Sequence, residues 1–114
     1  MRIINETRGC SLAEQAVVAD SFWSRLRGLL GKGSLAPGEG LILKPCNWVH
    51  SIGMAFPIDV LYVSPHGQVL AAHTLRPNRW GPLIRGSHLV VELPEGTLAK
   101  TKTVPGDRLL FEPA

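Results

Sequence analysis

The groups most able to do chemistry lie in the middle of this 114-residue chain, where Cys46, His50 and Asp59 follow one another closely. A thiol, an imidazole and a carboxylate could serve a hydrolase or transferase as nucleophile, base and orienting residue, respectively. In an extended segment, however, side chains four residues apart start roughly 13 Å from each other, given about 3.3 Å per residue. Cys46 and His50 have that spacing, which disfavours a working nucleophile and base.

A metal site is a second possibility, built from His50, Asp59 and His73 with Cys46 or Glu92 as a further ligand. The sequence carries no ligand-spacing motif, since its two cysteines are isolated from each other. A histidine on an apolar strand is more often packed and hydrogen-bonded than bound to a metal. We therefore expect no metal or other cofactor.

The apolar run Ile58–Val63 has the pattern typical of a strand covered on both faces. Asp59 is the exception within this run, and the interpretation of the candidate site depends on it. Residues 64–67 then suit a type I turn ending in a left-handed glycine. The three-residue hairpin loop that follows from this turn predicts that Asp59 faces His73. A two-residue loop would instead place Ala72 opposite Asp59.

A carboxylate in an apolar strand needs hydrogen-bond donors. In a structural interpretation, Asp59 accepts from backbone amides of residues 51–56. In a functional interpretation, it pairs with His50 or His73, raising the pKa of that imidazole and fixing its tautomer. The candidate ligand-binding residues are His50, Ser51, Met54, Asp59, His73 and Glu92.

Arg76, Arg79 and Arg85 surround Trp80 in a segment rich in proline and glycine, which predicts a loop. This loop is either a solvated connection with one packed tryptophan or a site for an anion or a nucleic-acid single strand. The net charge of +3 and pI of about 9.2 permit an anionic partner. They fall short of a nucleic-acid-binding signature, so we do not expect a nucleic acid as partner.

The surrounding pattern predicts one domain over residues 1–114, of the α+β class and mostly β. We expect a small antiparallel sheet or barrel-like fold with one or two short helices. Strands are predicted at residues 11–19, 40–43, 47–50, 58–63, 89–93 and 108–112, a helix at 22–30 and a helical turn at 95–100. Arg25 or Arg27 on the helix could pair with Glu92.

Several classes of protein are disfavoured by the composition. The N-terminus lacks the apolar run of a signal peptide, and no segment is long and apolar enough to span a membrane. Two isolated cysteines indicate no disulfide framework. We expect a cytoplasmic monomer.

Residues 49–60, which read VHSIGMAFPIDV, resemble the signature of the bacterial and archaeal family called domain of unknown function 192, also known as uncharacterised protein family 0127. Residues 19–30, 40–41, 90–96 and 106–107 resemble further blocks of that family. Many members carry Trp-Met-Lys-Asn-Thr in the signature, so this chain resembles a His-Ser/Thr subgroup. The resemblance implies a compact, mostly antiparallel β fold with one or two short helices and no established activity.

The function that we expect is a non-enzymatic binding or accessory module, which presents loops on a β scaffold to a small molecule or a protein. Its polar site would lie around His50, Asp59 and His73. The alternatives are the metal site, the cysteine-dependent hydrolase and nucleic-acid binding through residues 76–85.

Overall fold

Two β-sheets dominate the fold, for which the computed structural model describes residues 1–19 and 35–113. The strands are β1 (Arg2–Asn5), β2 (Cys10–Ala13), β3 (Gln15–Ala19), β4 (Glu39–Leu43), β5 (Ile58–Val63), β6 (Val69–Leu75), β7 (Leu89–Pro94) and β8 (Leu109–Glu112), and a short helix, α1 (Thr97–Thr101), precedes β8. The predicted mostly-β class is confirmed. The helix predicted at residues 22–30 and the arginines expected to pair with Glu92 lie outside the described residues.

The larger sheet has five strands in the order β3-β4-β7-β5-β6, and the smaller has three in the order β2-β1-β8. All neighbours are antiparallel except β3 and β4, so the larger sheet is mixed. The strand predicted over residues 11–19 is two strands, because the chain leaves the small sheet at Glu14 and enters the large one at Gln15.

The two faces of the larger sheet are covered differently. The small sheet packs on one face, where Ile3, Leu12 and Leu109 meet the large-sheet residues Leu61 and Val91 in an apolar core. Loop residues cover the other face, which we call the loop-covered face. Every residue of β5 is buried, as predicted for a strand covered on both sides.

The hairpin between β5 and β6 has the predicted turn but not the predicted register. Residues 64–67 form a hydrogen-bonded turn whose final glycine has a φ of 87°. Val63 pairs with Val69 as predicted, but Tyr62 pairs with Ala71, because a β-bulge adds one residue to β6. Everything beyond the bulge is therefore displaced by one position.

This displacement corrects the predicted pairing of Asp59 with His73. Asp59 faces Thr74, whereas His73 faces Val60. Because successive side chains of a strand point to opposite faces, Asp59 is directed to the small sheet and His73 to the loop-covered face.

The predicted helical turn at residues 95–100 is confirmed as α1, and the predicted closing strand as β8. The extended segment predicted at residues 47–50 joins neither sheet. It pairs instead with the loop that carries Trp80, with a bridge between His50 and Trp80. None of the helices in the described part of the chain has the length and apolar character needed to cross a membrane.

Candidate functional site

Asp59 is an anchor of the fold. Its side chain is buried and accepts hydrogen bonds from the Thr74 hydroxyl at 2.7 Å, the Gly96 amide at 3.1 Å and the Leu98 amide at 2.9 Å. The last two amides belong to the start of α1, where backbone N–H groups lack partners within the helix. The donors expected from residues 51–56 are therefore not the ones used, and neither histidine bonds to this carboxylate.

His73 and Tyr62 form a pair on the loop-covered face. Their rings stack with centroids 5.6 Å apart. Within the described chain, the Tyr62 hydroxyl and His73 Nε2 are buried without a hydrogen-bond partner. Both lie against Gly81, where an added Cβ would be 2.7 Å from the hydroxyl and 3.5 Å from Nε2. A glycine is therefore needed for this close approach of the loop to the sheet.

Burial determines the protonation of this pair. It raises the pKa of Tyr62 to about 12, with added effects from Cys46 and Glu92. It also lowers the pKa of His73, although the negative charge of Asp59 opposes the shift. At neutral pH, the two side chains are a phenol and an uncharged imidazole.

Glu92 is a second carboxylate within the sheet, on the same face as Tyr62 and His73. It pairs with Val60 on one side and with Leu41 on the other, so its nearest cross-strand neighbours are apolar. Only 4% of its surface is exposed, and burial raises its pKa to about 7. Folding therefore favours the protonated form of Glu92.

Cys46 and Met54 are core residues beneath the loops. Cys46 Sγ donates to the Trp48 carbonyl oxygen at 3.3 Å rather than to an imidazole. The postulated triad is not assembled, because His50 is exposed and Asp59 is directed to the other face of the sheet. For the same reason His50, Asp59 and His73 do not converge, and the described residues contain no group of three His, Cys, Asp or Glu side chains able to hold a metal ion.

Ser51 joins two loops into one unit. Its buried hydroxyl donates to the Arg76 carbonyl and accepts from the Arg79 amide at 2.9 Å. Nearby, the Asn78 side chain accepts from the Gly53 amide at 2.9 Å. The hydroxyl thus fixes the position of the arginine-containing loop.

A short antiparallel ladder continues from this junction. Backbone hydrogen bonds join Asn47 to Ile84, Val49 to Gly81 and Ser51 to Arg79. Side chains alternate along the first segment: Val49 and Ser51 are buried, whereas Trp48, His50 and Ile52 are exposed. The ladder therefore directs one row of side chains outward, as the exposed face of a sheet does.

Trp48, His50 and Trp80 form a cluster of rings on the outer side of the ladder, which we call the aromatic face. The two indoles stack with centroids 4.9 Å apart, and the imidazole lies 4.9 Å from Trp80. Trp48 Nε1 donates to the Gly81 carbonyl at 2.7 Å, which fixes the orientation of that ring. Even so, Trp48 is 48% exposed and Trp80 is 60% exposed.

The positive charge of the chain is concentrated in the same loops. Residues 44–57 and 76–88 contain Lys44, Arg76, Arg79 and Arg85 and no acidic residue, whereas the remainder has eight basic and nine acidic residues. All three arginines are exposed. None of these four cations forms an ion pair with a described carboxylate. The ion pairs among the described residues have Arg2 or Arg8 as the cation.

Another buried polar cluster lies at the small sheet. Asp107 Oδ2 accepts from Asn5 at 2.9 Å, from Arg8 at 3.0 Å and from the Val104 amide at 3.1 Å. Burial favours a raised pKa for Asp107, but these hydrogen bonds outweigh it and lower the pKa. The cluster connects strand β1 to the turn before β8, which is a structural role.

Trp48 and Tyr62 were not among the residues selected from the sequence. The alternation of large and small side chains from Trp48 to Ile52 is a signal that could have identified the outward row. The proximity of Tyr62 to His73 had no such signal, because it depends on the bulge.

Comparisons with known proteins agree with this fold. The model of the family named domain of unknown function 192, described as "Uncharacterized ACR", matches residues 3–111. A crystal structure of a protein of unknown function from Novosphingobium aromaticivorans is similar with a TM-score of 0.82 at 18% identity, over 97% of this chain and 84% of that one. A Sinorhizobium meliloti protein, described as a candidate transcription regulator, has a TM-score of 0.77 at 24% identity, over 96% and 89% of the two chains. These identities establish similarity of fold alone. Among curated proteins, none matches the chain.

Proposed function

This chain belongs to the family of domain of unknown function 192, and we propose that it is a binding module without catalytic chemistry of its own. Its ligand surface in this proposal is the aromatic face, formed by Trp48, His50 and Trp80. The sheets serve as the scaffold, and the two loops on the large sheet present the surface.

The observation that carries the proposal is the exposure of two stacked indoles. A tryptophan side chain can bury about 150–250 Å², and each buried Å² contributes about 25 cal/mol. Leaving Trp48 and Trp80 about half exposed therefore forgoes several kcal/mol of burial free energy. Clustered exposed aromatic side chains are typical of interaction surfaces, whereas scattered ones are not.

The rigidity of the surface supports the same function. Trp48 is oriented by its bond to the Gly81 carbonyl, and the loop that carries Trp80 is fixed by Ser51. A pre-ordered surface loses less conformational entropy when a ligand binds. The buried thiol of Cys46 donates to a carbonyl oxygen, and among the described residues no base that could activate it as a nucleophile is bonded to it.

NMR titration of ¹⁵N-labelled protein tests this proposal. The probes are an oligothymidylate, a polyglutamate peptide, a neutral glucan oligosaccharide and phosphatidylglycerol vesicles. We expect at least one probe to cause saturable shifts confined to residues 47–52 and 79–85, and these shifts should be absent in Trp48→Ala and Trp80→Ala. Leu110→Ala is the matched control, because Leu110 is a similarly exposed apolar residue on the small sheet. Failure of all four probes to shift these amides, or shifts located elsewhere, would refute the proposal.

A further inference from the structure

We infer that the ligand of the aromatic face is single-stranded nucleic acid, with bases on the indole rings and phosphates on Arg76, Arg79 and Arg85. This inference rests on the proposed function, since it specifies the ligand of the same surface. The sequence alone disfavoured a nucleic acid because its net charge of +3 is modest. Folding strengthens the argument for a nucleic acid, because backbone pairing joins the two loops that hold the positive excess and the aromatic rings.

The distribution of charge is the first reason. The loops that carry the aromatic face contain four cations and no carboxylate, while the rest of the chain has one more acidic than basic residue. Arg79 adjoins Trp80 in the chain, and the backbone bond between Ile84 and Asn47 brings Arg85 next to the Trp48 segment. A surface with only positive charge attracts an anion with many charges, and attraction of this kind weakens with salt.

The geometry of the rings is the second reason. Proteins that bind single strands without sequence preference combine a cationic surface with aromatic rings on which bases stack. Trp80 remains 60% exposed although it contacts both Trp48 and His50, so a large part of the indole is open to a ligand. An acidic peptide would satisfy the arginines but would leave this aromatic surface without a planar partner.

The arginines are suited to this role, because each lies on the surface without a carboxylate partner among the described residues. The planar guanidinium group can contact phosphate with two parallel hydrogen bonds and can also stack on a base. Among the described residues, the Arg79 guanidinium donates a single long bond, of 3.4 Å, to the Asn78 carbonyl, so the side chain can reorient toward a ligand.

Fluorescence anisotropy with a labelled oligothymidylate of about ten nucleotides, a length typical of one single-strand site, tests the inference. We expect saturable binding, and three arginine contacts predict a slope of about −2 in a plot of log K against log salt between about 50 and 200 mM. Trp80→Ala should weaken binding by about 5- to 150-fold, since one stacked base contributes about 1–3 kcal/mol. Trp80→Phe retains a ring and should stay within a few-fold of the unmodified protein.

Charge variants separate specific contacts from general attraction. Arg79→Gln should make the salt slope about 0.7 less steep, while Arg79→Lys should preserve the slope. Lys100→Gln is the control, because it removes one exposed positive charge from α1, away from the aromatic face. An equal effect of Arg79→Gln and Lys100→Gln on binding would contradict the assigned phosphate contacts.

The same experiment includes two other possible ligands, polyglutamate and phosphatidylglycerol vesicles. Binding of polyglutamate or phosphatidylglycerol vesicles at the aromatic face, with no saturable binding of the oligothymidylate, would refute the inference and leave the proposed function standing. Oligothymidylate binding that is insensitive to both Trp48→Ala and Trp80→Ala would also refute it. Preference for oligothymidylate over a duplex of equal length is the expected result, since duplex bases are not free to stack on the rings.

Discussion

Replacing Asp59 provides the strongest test of how this fold is stabilised. The carboxylate accepts three hydrogen bonds, one from Thr74 and two from the backbone at Gly96 and Leu98. Bonds to a charged acceptor contribute about 1.5–3 kcal/mol each, against about 0.5–1.5 for neutral ones. Asp59→Asn leaves an amide oxygen for the two backbone donors, and the Thr74 hydroxyl can turn to accept from the new NH₂ group.

The expected loss in the free energy of unfolding is about 2 kcal/mol for Asp59→Asn, since charge assistance is lost while the bonds persist. Asp59→Ala removes the acceptor and should cost about 4 kcal/mol, which approaches the whole stability of a small domain. Thr74→Val removes one exposed donor and should cost about 1 kcal/mol. We therefore expect Asp59→Asn to fold, with a Tm lower by about 8 °C.

Thermal and urea unfolding followed by circular dichroism measure these values. The order of destabilisation, Ala greater than Asn at position 59 and both greater than Val at position 74, follows directly from the number and charge of the bonds. An Asp59→Asn protein with unchanged Tm, or a Thr74→Val change more costly than Asp59→Ala, would show that these contacts do not anchor α1. Oligothymidylate affinity should be unchanged in folded Asp59→Asn, because this side chain is directed away from the loop-covered face.

Three further predictions concern the loop-covered face. Burial raises the pKa of Glu92 from 4.5 to about 7, so folding favours its protonated form and stability is lost as the pH rises through this window. In urea unfolding, the unmodified protein should lose about 3 kcal/mol relative to Glu92→Gln between pH 5 and pH 8. Parallel pH profiles of the two proteins would contradict the raised pKa. Tyr62→Phe removes a buried hydroxyl that has no partner in the described chain and should leave the Tm equal or higher. Gly81→Ala should cost about 2 kcal/mol of stability, because its Cβ would lie 2.7 Å from that hydroxyl. The double variant should recover at least part of this cost, and strictly additive changes in the free energy of unfolding would refute the contact. The Ser51 hydroxyl holds the loop of residues 76–81, so Ser51→Ala should weaken oligothymidylate binding and accelerate amide hydrogen exchange in that loop. Unchanged exchange rates at these residues would mean that other contacts fix the loop.

The local pattern of the sequence was sufficient for much of the fold. The all-apolar run Ile58–Val63 predicted a strand covered on both faces, and proline and glycine at residues 64–67 predicted the turn after it. The predicted register was wrong beyond Val63, where a β-bulge adds one residue to β6. A bulge depends on how the strand twists to meet its neighbours and not on the residues of the turn. That single residue directed Asp59 and His73 to opposite faces.

The candidate site was harder to predict, because the residue types that suggested chemistry have other roles. Asp59 anchors α1, Ser51 joins two loops, and Cys46 and Met54 lie in the core. A polar side chain in an apolar segment is as well suited to holding backbone groups as to catalysis, and the sequence does not distinguish these uses. Of the six candidate ligand-binding residues, His50 alone remains on the proposed ligand surface.

The two faces of the large sheet differ in how completely their polar groups are hydrogen-bonded, and this difference supports the proposed function. On the face directed to the small sheet, the Asp59 carboxylate is fully engaged with the fold. On the loop-covered face, the described chain leaves the Tyr62 hydroxyl and His73 Nε2 without partners, and the loops above place indoles in water. Stability alone would select against both features. Both features occur beneath or within the loops that hold the positive excess, and this coincidence supports the proposed binding surface.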